Sequence, residues 1–270
     1  MIEMWQRKSL CAFITMIACV HVEAAAMPTV NITNKSDSII EIVPIDEGHK
    51  APAPLDQISA TLPPGAFILI NHTDTPINAV VVLWSYIDKN GNSQPRRMSC
   101  DSYIGGPTDP IVRARDSVLI TPGGCMMREY FAHKAAGKPM IGEGTSRNKS
   151  ILDMGETLAT VHITVDSVIF ADGKIWGPDE HLYYKIISAN YWGVRSVVED
   201  VSNARAAGKD LKSSLEEIRS DTTGKGDQRS FRRKMCADTI HDSPNPEGRL
   251  QFYSQQPPLP EFQHIGGKNQ

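Results

Sequence analysis

The chain has 270 residues, 40% of them hydrophobic and 22% charged, with 28 basic against 31 acidic side chains and a net charge of −3. That length admits one large domain or one medium domain with appendages, and the composition is ordinary for a globular protein. A nearly neutral, slightly acidic chain has no electrostatic drive toward nucleic acid or anionic membrane, and both are set aside as partners.

At the N-terminus, Arg7 and Lys8 precede an apolar run from Leu10 to Val20, and Ala24, Ala25 and Ala26 follow it. Basic, apolar and small in that order is the pattern of a cleavable signal peptide, so residues 1–26 are expected to be a leader and the mature chain to begin near Met27. The apolar run is about 11 residues, short of the ~20 that span a bilayer, and no transmembrane anchor is expected in the mature chain. Acylation at Cys19, after Met16-Ile17-Ala18, would make a lipoprotein, but Met is a poor match at the first of those positions. The expected location is secreted or periplasmic. Removing the leader takes two bases (Arg7, Lys8) and two acids (Glu3, Glu23), which leaves the net charge unchanged. Of the five cysteines, Cys11 and Cys19 go with the leader, leaving Cys100, Cys125 and Cys236. In an oxidising compartment a Cys100–Cys125 disulfide is expected, with Cys236 in the tail.

From residue 29 to 176 the apolar residues come in short β-branched runs bounded by Gly, Pro, Asn and Asp. The runs predict strands at Val30–Thr33, Ile39–Val43, Ala66–Asn71, Asn78–Ile87, Ser93–Cys100, Ser117–Thr121 and Val161–Phe170, with a short return at Ile175-Trp176. Asn90-Gly91 and Asp172-Gly173 supply the positive φ of tight hairpins. The segment Asn78–Ile87 is apolar at both parities and is expected to be central, covered on both faces. Pro95 removes a ladder donor, which places Ser93–Cys100 at a sheet edge or a bulge. Seven or so short strands imply a β-sandwich. It is not of the antibody type, because Trp84 precedes both Cys100 and Cys125.

The segment NHTDTPINAVVVLW (Asn71–Trp84) resembles the strand–turn–strand of bacterial immunoglobulin-like modules. VHITVDSVIFADGKIWGPDE (Val161–Glu180) is similar to the closing segment of uncharacterised secreted bacterial proteins, in which it precedes a helix. The resemblance covers about 34 residues directly, and it implies architecture without lending any activity or site residue.

After Pro178, the apolar residues Ile187, Tyr191, Val194, Val198 and Val201 follow a 4-3-4-3 spacing that lines one helix face. Gly208 interrupts it, and Leu211, Leu215 and Ile218 resume with a shifted stripe. This predicts two helices, or one long kinked helix, between His181 and Arg219. Its first half is expected to dock on the sandwich near Trp176. The second half offers Leu211, Leu215 and Ile218 as candidate partner-binding residues. From Asp221 to Gln270 the chain is rich in Gly, Pro, Gln and charge, with a basic cluster at Arg229, Arg232, Arg233 and Lys234 and the stretch QPPLP. Such a segment is expected to be disordered. Residues 44–58 and 130–156 are read as loops.

The chemistry-bearing patterns are negative. No G-x-S-x-G, H-E-x-x-H, P-loop or G-x-G-x-x-G occurs, and neither catalytic residue, metal nor cofactor is assigned. Asp88, Asn90 and Asn92 alternate as in a calcium loop, but position twelve is Ser99, and a hairpin turn is the better reading. Asp166 shares parity with His162, Thr164, Val168 and Phe170, so a solvated half-face or a pair with His162 is expected. Asp179-Glu180-His181 reads as a helix N-terminal cap region. Asn31, Asn34, Asn71 and Asn148 head N-x-[ST] sequons.

The combined expectation is a mainly β, immunoglobulin-like antiparallel β-sandwich with a C-terminal helical appendage and a disordered tail. Its parts are a leader (1–26), a sandwich (27–179), a helical segment (180–221) and a flexible tail (222–270). The expected role is a secreted or envelope-associated structural or protein-binding module, acting on a protein partner or by self-association. The alternatives are a hydrolase with a dispersed site near loop 130–156, or a carbohydrate-binding module using Trp84, Tyr86, Tyr103 or Trp176.

Overall fold

The computed structural model describes residues 28–33, 37–45, 62–103, 110–126, 157–223 and 227–265, with 124–126 described as backbone alone. The expected leader, the loop 130–156 and most of the loop 44–58 lie outside these residues. Strands run in chain order as β1 (Thr29–Ile32), β2 (Ile40–Pro44), β3 (Phe67–Asn71), β4 (Ile77–Asp88), β5 (Ser93–Asp101), β6 (Ser117–Thr121), β7 (Gly124–Met126), β8 (Leu158–Phe170) and β9 (Lys174–Trp176). Helices α1 (Tyr183–Ala206), α2 (Leu211–Ser220), α3 (Gln228–His241) and α4 (Pro246–Ser254) follow, and a two-residue strand β10 (Gln263–His264) comes last.

One sheet has the order β10-β9-β8-β4-β5 and the other β2-β3-β6-β7. The 13 residues of β8 are long enough for one of its edges to hold two strands, β1 along Thr160–Ile163 and β9 along Val168–Ile169. The β1–β8 and β10–β9 pairs are parallel, so the sheet is not antiparallel throughout. β5, with Pro95 in it, is an outer strand that pairs with β4 alone, as a missing ladder donor requires. Gly91 and Gly173 both turn their hairpins at positive φ.

The two sheets face one another across a single apolar core. Val80, Val82, Trp84 and Tyr86 of β4 meet Phe67 and Leu69 of β3, Val118 and Ile120 of β6, and Ile40 and Ile42 of β2. The opposite parity of β4, Ala79 and Val81, is also fully buried, beneath Tyr183 and Ile187 of α1. A strand that is apolar at both parities is thus covered on both faces.

The stripe of α1 has two successive covers. Tyr183 and Ile187 pack on the sheet beside Ile169 and Ile175, whereas Trp176 points into the core between the sheets. From Val194 onward, Val194, Val197 and Val201 turn to Leu215 and Ile218 of α2, Cys236, Ala237 and Ile240 of α3, and Leu250 and Tyr253 of α4. Between α1 and α2, Gly208 takes φ +82, and Asp210 caps α2 through the Ser213 N–H at 3.0 Å.

The architecture is therefore mixed α/β rather than mainly β, and residues 227–265 of the expected disordered tail carry two helices and a strand. Its helices α3 and α4 complete a second core, and β10 joins the sheet. In isolation the segment has too little apolar surface to offset its ordering entropy. It orders because the stripes of α1 and α2 already present a face to be covered. Asp227 and Asn245 cap the two helices, accepting from the N–H groups of Ser230 and Gly248. Arg233, expected in a solvated basic cluster, instead bridges Asp200 at 2.7 Å and Asp221 at 2.9 Å.

Cys236 is buried in α3, not held in a mobile tail, and burial pushes its thiol up to about 12. Among the described residues no disulfide is at bonding distance. The Cys100 thiol lies 3.2 Å from Met98 Sδ, and β7 places Cys125 opposite Ile120 on a strand that runs beside β5.

Ile240 is fully buried where α1, α2 and α3 meet, so Ile240→Ala is expected to lower the unfolding free energy by about 2–4 kcal/mol. A chain cut after Gly208 is expected to unfold at lower denaturant, because Val194, Val197 and Val201 lose their cover. Denaturant titration followed by circular dichroism checks both, and a truncated chain with the full-length midpoint would contradict the integral role of the C-terminal helices.

Candidate functional site

Along β8, Val161, Ile163 and Val165 face the core, and then Val168 and Phe170 do. The odd-to-even switch is a β-bulge: Val81 of β4 pairs with Ser167, and the next residue, Val82, pairs with Val165. Asp166 is the extra residue. Bulges re-aim a side chain and are common beside functional sites. Sequence parity placed Asp166 with His162 on a solvated face. The bulge breaks that parity, and His162 stays exposed opposite Ser85 while Asp166 is 1% exposed.

The Asp166 carboxylate accepts from the Glu180 N–H at 2.9 Å and the His181 N–H at 3.3 Å, and lies 3.2 Å from His181 Nδ1. Its carbonyl accepts the Asp179 N–H at 2.7 Å. Gly177 approaches so closely, at φ +102, that a Cβ there would sit 2.7 Å from the same carbonyl. The turn from β9 into α1 is thereby tied to the bulge at four points. Within that turn Asp179 and Leu182 hold left-handed φ of 48° and 47°. Such conformations cost on the order of 1 kcal/mol or more each and persist where the surroundings over-determine them.

Asp179 supplies the cap expected for this region: its Oδ1 accepts the Tyr183 N–H at 3.1 Å. Its other oxygen, Oδ2, is buried beside the Ser167 hydroxyl and lies 3.5 Å from His264 Nε2 on β10. Burial raises the Asp179 carboxyl above the ordinary carboxylate range. The Tyr183 N–H and His264 oppose that rise, and the nearby Asp166 carboxylate adds to it. Two buried aspartates and two half-exposed histidines thus share one end of the molecule. His181, oriented by Asp166 at Nδ1, can hold and pass a proton at Nε2, but no described hydroxyl or thiol bonds to that nitrogen. Among the described residues no group of three or more His, Cys, Asp or Glu is placed to hold a metal ion.

The aromatics considered for sugar binding do not form an exposed row. Trp84 and Tyr86 lie in the core, with Trp84 Nε1 donating to the Gly65 carbonyl at 2.9 Å. Trp176 Nε1 donates to Asp37 Oδ2 at 2.6 Å, and the Tyr103 hydroxyl donates to the Phe170 carbonyl at 3.0 Å. Asn71 is fully buried, donating to the Thr75 and Arg113 carbonyls, and is closed to glycosylation. Asp88 accepts from the Asn90 and Asn92 N–H groups and from Asn92 Nδ2, which makes it a hairpin cap and not a calcium ligand.

The candidate partner residues Leu211, Leu215 and Ile218 are not a free surface either. Leu215 and Ile218 are buried and Leu211 is partly buried, all against the chain's own helices. The large apolar side chains left in water on the helical layer are Trp192 of α1 (39% exposed) and Phe231 (59%) and Met235 (44%) of α3. The helices cross closely here, since a Cβ at Gly193 would lie 2.9 Å from the Arg232 backbone. The Arg229 guanidinium stands 5.5 Å over the Trp192 ring, and that of Arg232 stands 5.6 Å over Phe231. Elsewhere in the layer Arg205 pairs with Glu247, Arg219 with Asp238, and Arg233 with Asp200 and Asp221, while Arg195 donates to the Ser254 carbonyl and Arg249 stands 5.8 Å over the Tyr253 ring. Arg229 and Arg232 make no salt bridge among the described residues: Arg229 lies in the field of the Asp227 carboxylate, Arg232 Nη1 donates to Met235 Sδ at 3.9 Å, and Arg232 Nε is buried without an acceptor. The signal for this face was the four-residue spacing of Phe231 and Met235, within a stretch whose composition argued against a helix.

No protein-family model, curated protein or solved structure matches the chain.

A carboxyl whose folded pKa is raised contributes stability below the ordinary carboxylate range and loses it as pH rises through the raised value. Asp179→Asn keeps an oxygen for the Tyr183 N–H, and Asn tolerates the left-handed turn. The variant is expected to melt above the wild type at pH 7, with the gap closing as pH falls toward 4. Thermal midpoints across that range check this, and an Asp179→Asn protein that melts lower at pH 7 would contradict it.

Proposed function

We propose that the chain is an exported, non-enzymatic module of immunoglobulin-like sandwich character that binds an acidic protein partner through the α1/α3 face. The observation that carries this reading is the pair of guanidiniums, neither in a salt bridge among the described residues, that stand over exposed rings on one face, Arg229 on Trp192 and Arg232 on Phe231. Large apolar side chains left in water forgo ~1.5–3 kcal/mol each, which a partner would recover. Trp and Arg are the residue types that dominate binding hot spots. A guanidinium with unused donors favours a carboxylate, which it engages with two parallel hydrogen bonds. Exposed Lys234 adds to the same local charge, on a chain that is negative overall. An acidic surface would therefore be steered to this face in preference to the rest.

Export rests on the order of Arg7-Lys8, the apolar run and Ala24–Ala26. Among the described residues no helix is long and apolar enough to cross a membrane. Export also motivates a Cys100–Cys125 disulfide between the neighbouring strands β5 and β7. The sugar-binding alternative loses support with its four aromatics engaged inside the fold, and the hydrolase alternative turns on loop 130–156, which lies outside the described residues.

Two baits differing by one residue test the binding reading. Phe231→Asp and Arg232→Glu, each presented beside the wild-type mature chain to a native envelope extract, are expected to lose the same acidic protein while keeping the wild-type circular dichroism. If both variants retain everything the wild type captures, the face is not the binding site. Intact mass of exported protein is expected to show a chain starting near Met27 and lighter by the two hydrogens of one disulfide. A retained Met1 would contradict the leader, and a fully reduced mass would contradict the disulfide.

A further inference from the structure

Helix α3 carries its charges in the reverse of the order that its own dipole favours. Acids are stabilising at a helix N-terminus and bases at the C-terminus. Apart from the cap Asp227, the first turn of α3 holds no acid, and the N-terminal half carries Arg229, Arg232 and Lys234. Asp238 and Asp242 stand at the other end, with His241 between them. Glu216 of α2 adds a carboxylate beside that end, 4.0 Å from His241 Nε2. The acidic end is open to solvent: Asp242 is 67% exposed and Glu216 56%, and Asp238 remains partly exposed beside its partner Arg219.

One surface joins the two ends. Gln228, Phe231, Met235, Thr239 and Asp242 are all exposed, and their 3-4-4-3 spacing lines a single stripe of the helix. The stripe is aromatic and flanked by bases at its start and acidic at its finish, and Phe231 stands about 16 Å along the helix axis from Asp242.

We propose that the acidic partner of the α1/α3 face is a second copy of this chain, with the two α3 helices antiparallel across a two-fold axis near Met235. The proposal rests on the reading of that face as a docking surface and adds the identity of what docks. A two-fold contact is self-complementary, so the N-terminal half of each helix meets the C-terminal half of the other. Arg229, Arg232 and Lys234 of each copy then face Asp238 and Asp242 of the second, while Phe231 and Met235 are covered by the opposite stripe. Trp192 of α1, beneath Arg229, flanks the contact. The antiparallel pair also sets the two helix dipoles head to tail, so a charge order unfavourable within one helix becomes favourable between two. A parallel pair would set like charges against each other. An unrelated acidic protein would use the basic half alone and leave the exposed Asp242 and Glu216 with no counterpart. One helix pair with a flanking Trp is at the small end of specific interfaces, so the dimer is expected to depend on concentration.

Sedimentation equilibrium of the purified mature chain tests this, over a range of about 1–200 µM, where mass action moves a weak dimer from monomer to pair. The wild type is expected to dimerise, less tightly as salt is raised. Phe231→Asp, Arg232→Glu and Asp242→Arg, each with the wild-type circular dichroism, are expected to weaken dimerisation at least about tenfold, the effect of losing one good contact on each copy. An equimolar mixture of Arg232→Glu and Asp242→Arg is expected to regain the dimer, because in the mixed pair position 232 of each copy again faces the opposite charge at position 242. Phe231→Asp, whose side chain is exposed, keeps the test sharp if Arg232→Glu does not fold. A wild type that stays monomeric throughout, variants that dimerise as the wild type does, or a mixture no more associated than its separate components would overturn the proposal. Capture of a different acidic protein by a monomeric wild type would overturn self-association while sustaining the face as a docking surface, which separates the two failures.

Discussion

A carboxylate held inside a sheet is unfavourable unless its lone pairs are occupied, and Asp166 occupies its own with the start of the next layer. Inserting this residue into β8 shifts the strand's parity, so that Val168 and Phe170 return to the core. The same insertion turns the Asp166 side chain toward the chain segment leaving β9. Two backbone N–H groups and the His181 ring converge on it, while the Asp166 carbonyl holds the Asp179 N–H. Without that anchor, the left-handed residues Asp179 and Leu182 have no evident reason to keep their conformation.

Once the turn is set, the direction of α1 follows. Its first turns lie on Ala79, Val81, Ile169 and Ile175, and its later turns leave the sheet and become one wall of the helical core. α2, α3 and α4 close that core, and the chain then returns to the sheet it left through β10. The ion pairs of the layer tie its helices to one another: Arg205 of α1 to Glu247 of α4, Arg219 of α2 to Asp238 of α3, and Arg233 of α3 to Asp200 of α1 and to Asp221. At these exposures each is worth little alone.

Strands β1 to β6, β8 and β9 were legible because each is a local event, whereas the short β7 and β10 were not foreseen. Alternation, β-branching and the Asn90-Gly91 and Asp172-Gly173 turns specify them without reference to distant residues, and Pro95 marked the outer strand. The polar pair Asp166-Ser167 does interrupt the alternation of Val161, Ile163 and Val165, but only the pairing with β4 shows that the interruption is a slip of register. That single slip hid the Asp166–His181 contact and suggested His162 in its place. The C-terminal helices were missed for a different reason. Their apolar residues are too few to form a core alone, and they fold by covering the stripes of α1 and α2. The exposed Trp192, Phe231 and Met235 became visible only when Leu215 and Ile218 proved to be covered from within.

The central claim is that Asp166 joins the facing sheets and the helical layer into one cooperative unit. The most direct measurement is equilibrium unfolding of Asp166→Ala followed by two probes, near-ultraviolet dichroism for the packed Trp84 and Trp176, and far-ultraviolet helical dichroism. Removing the carboxylate leaves the Glu180 and His181 N–H groups without their acceptor, a loss of about 1–3 kcal/mol for each that stays buried. Both probes are predicted to shift together to lower denaturant in one coincident transition. A variant with unchanged midpoints, or one whose helical signal melts apart from the sheet signal as it does not in the wild type, would contradict the claim.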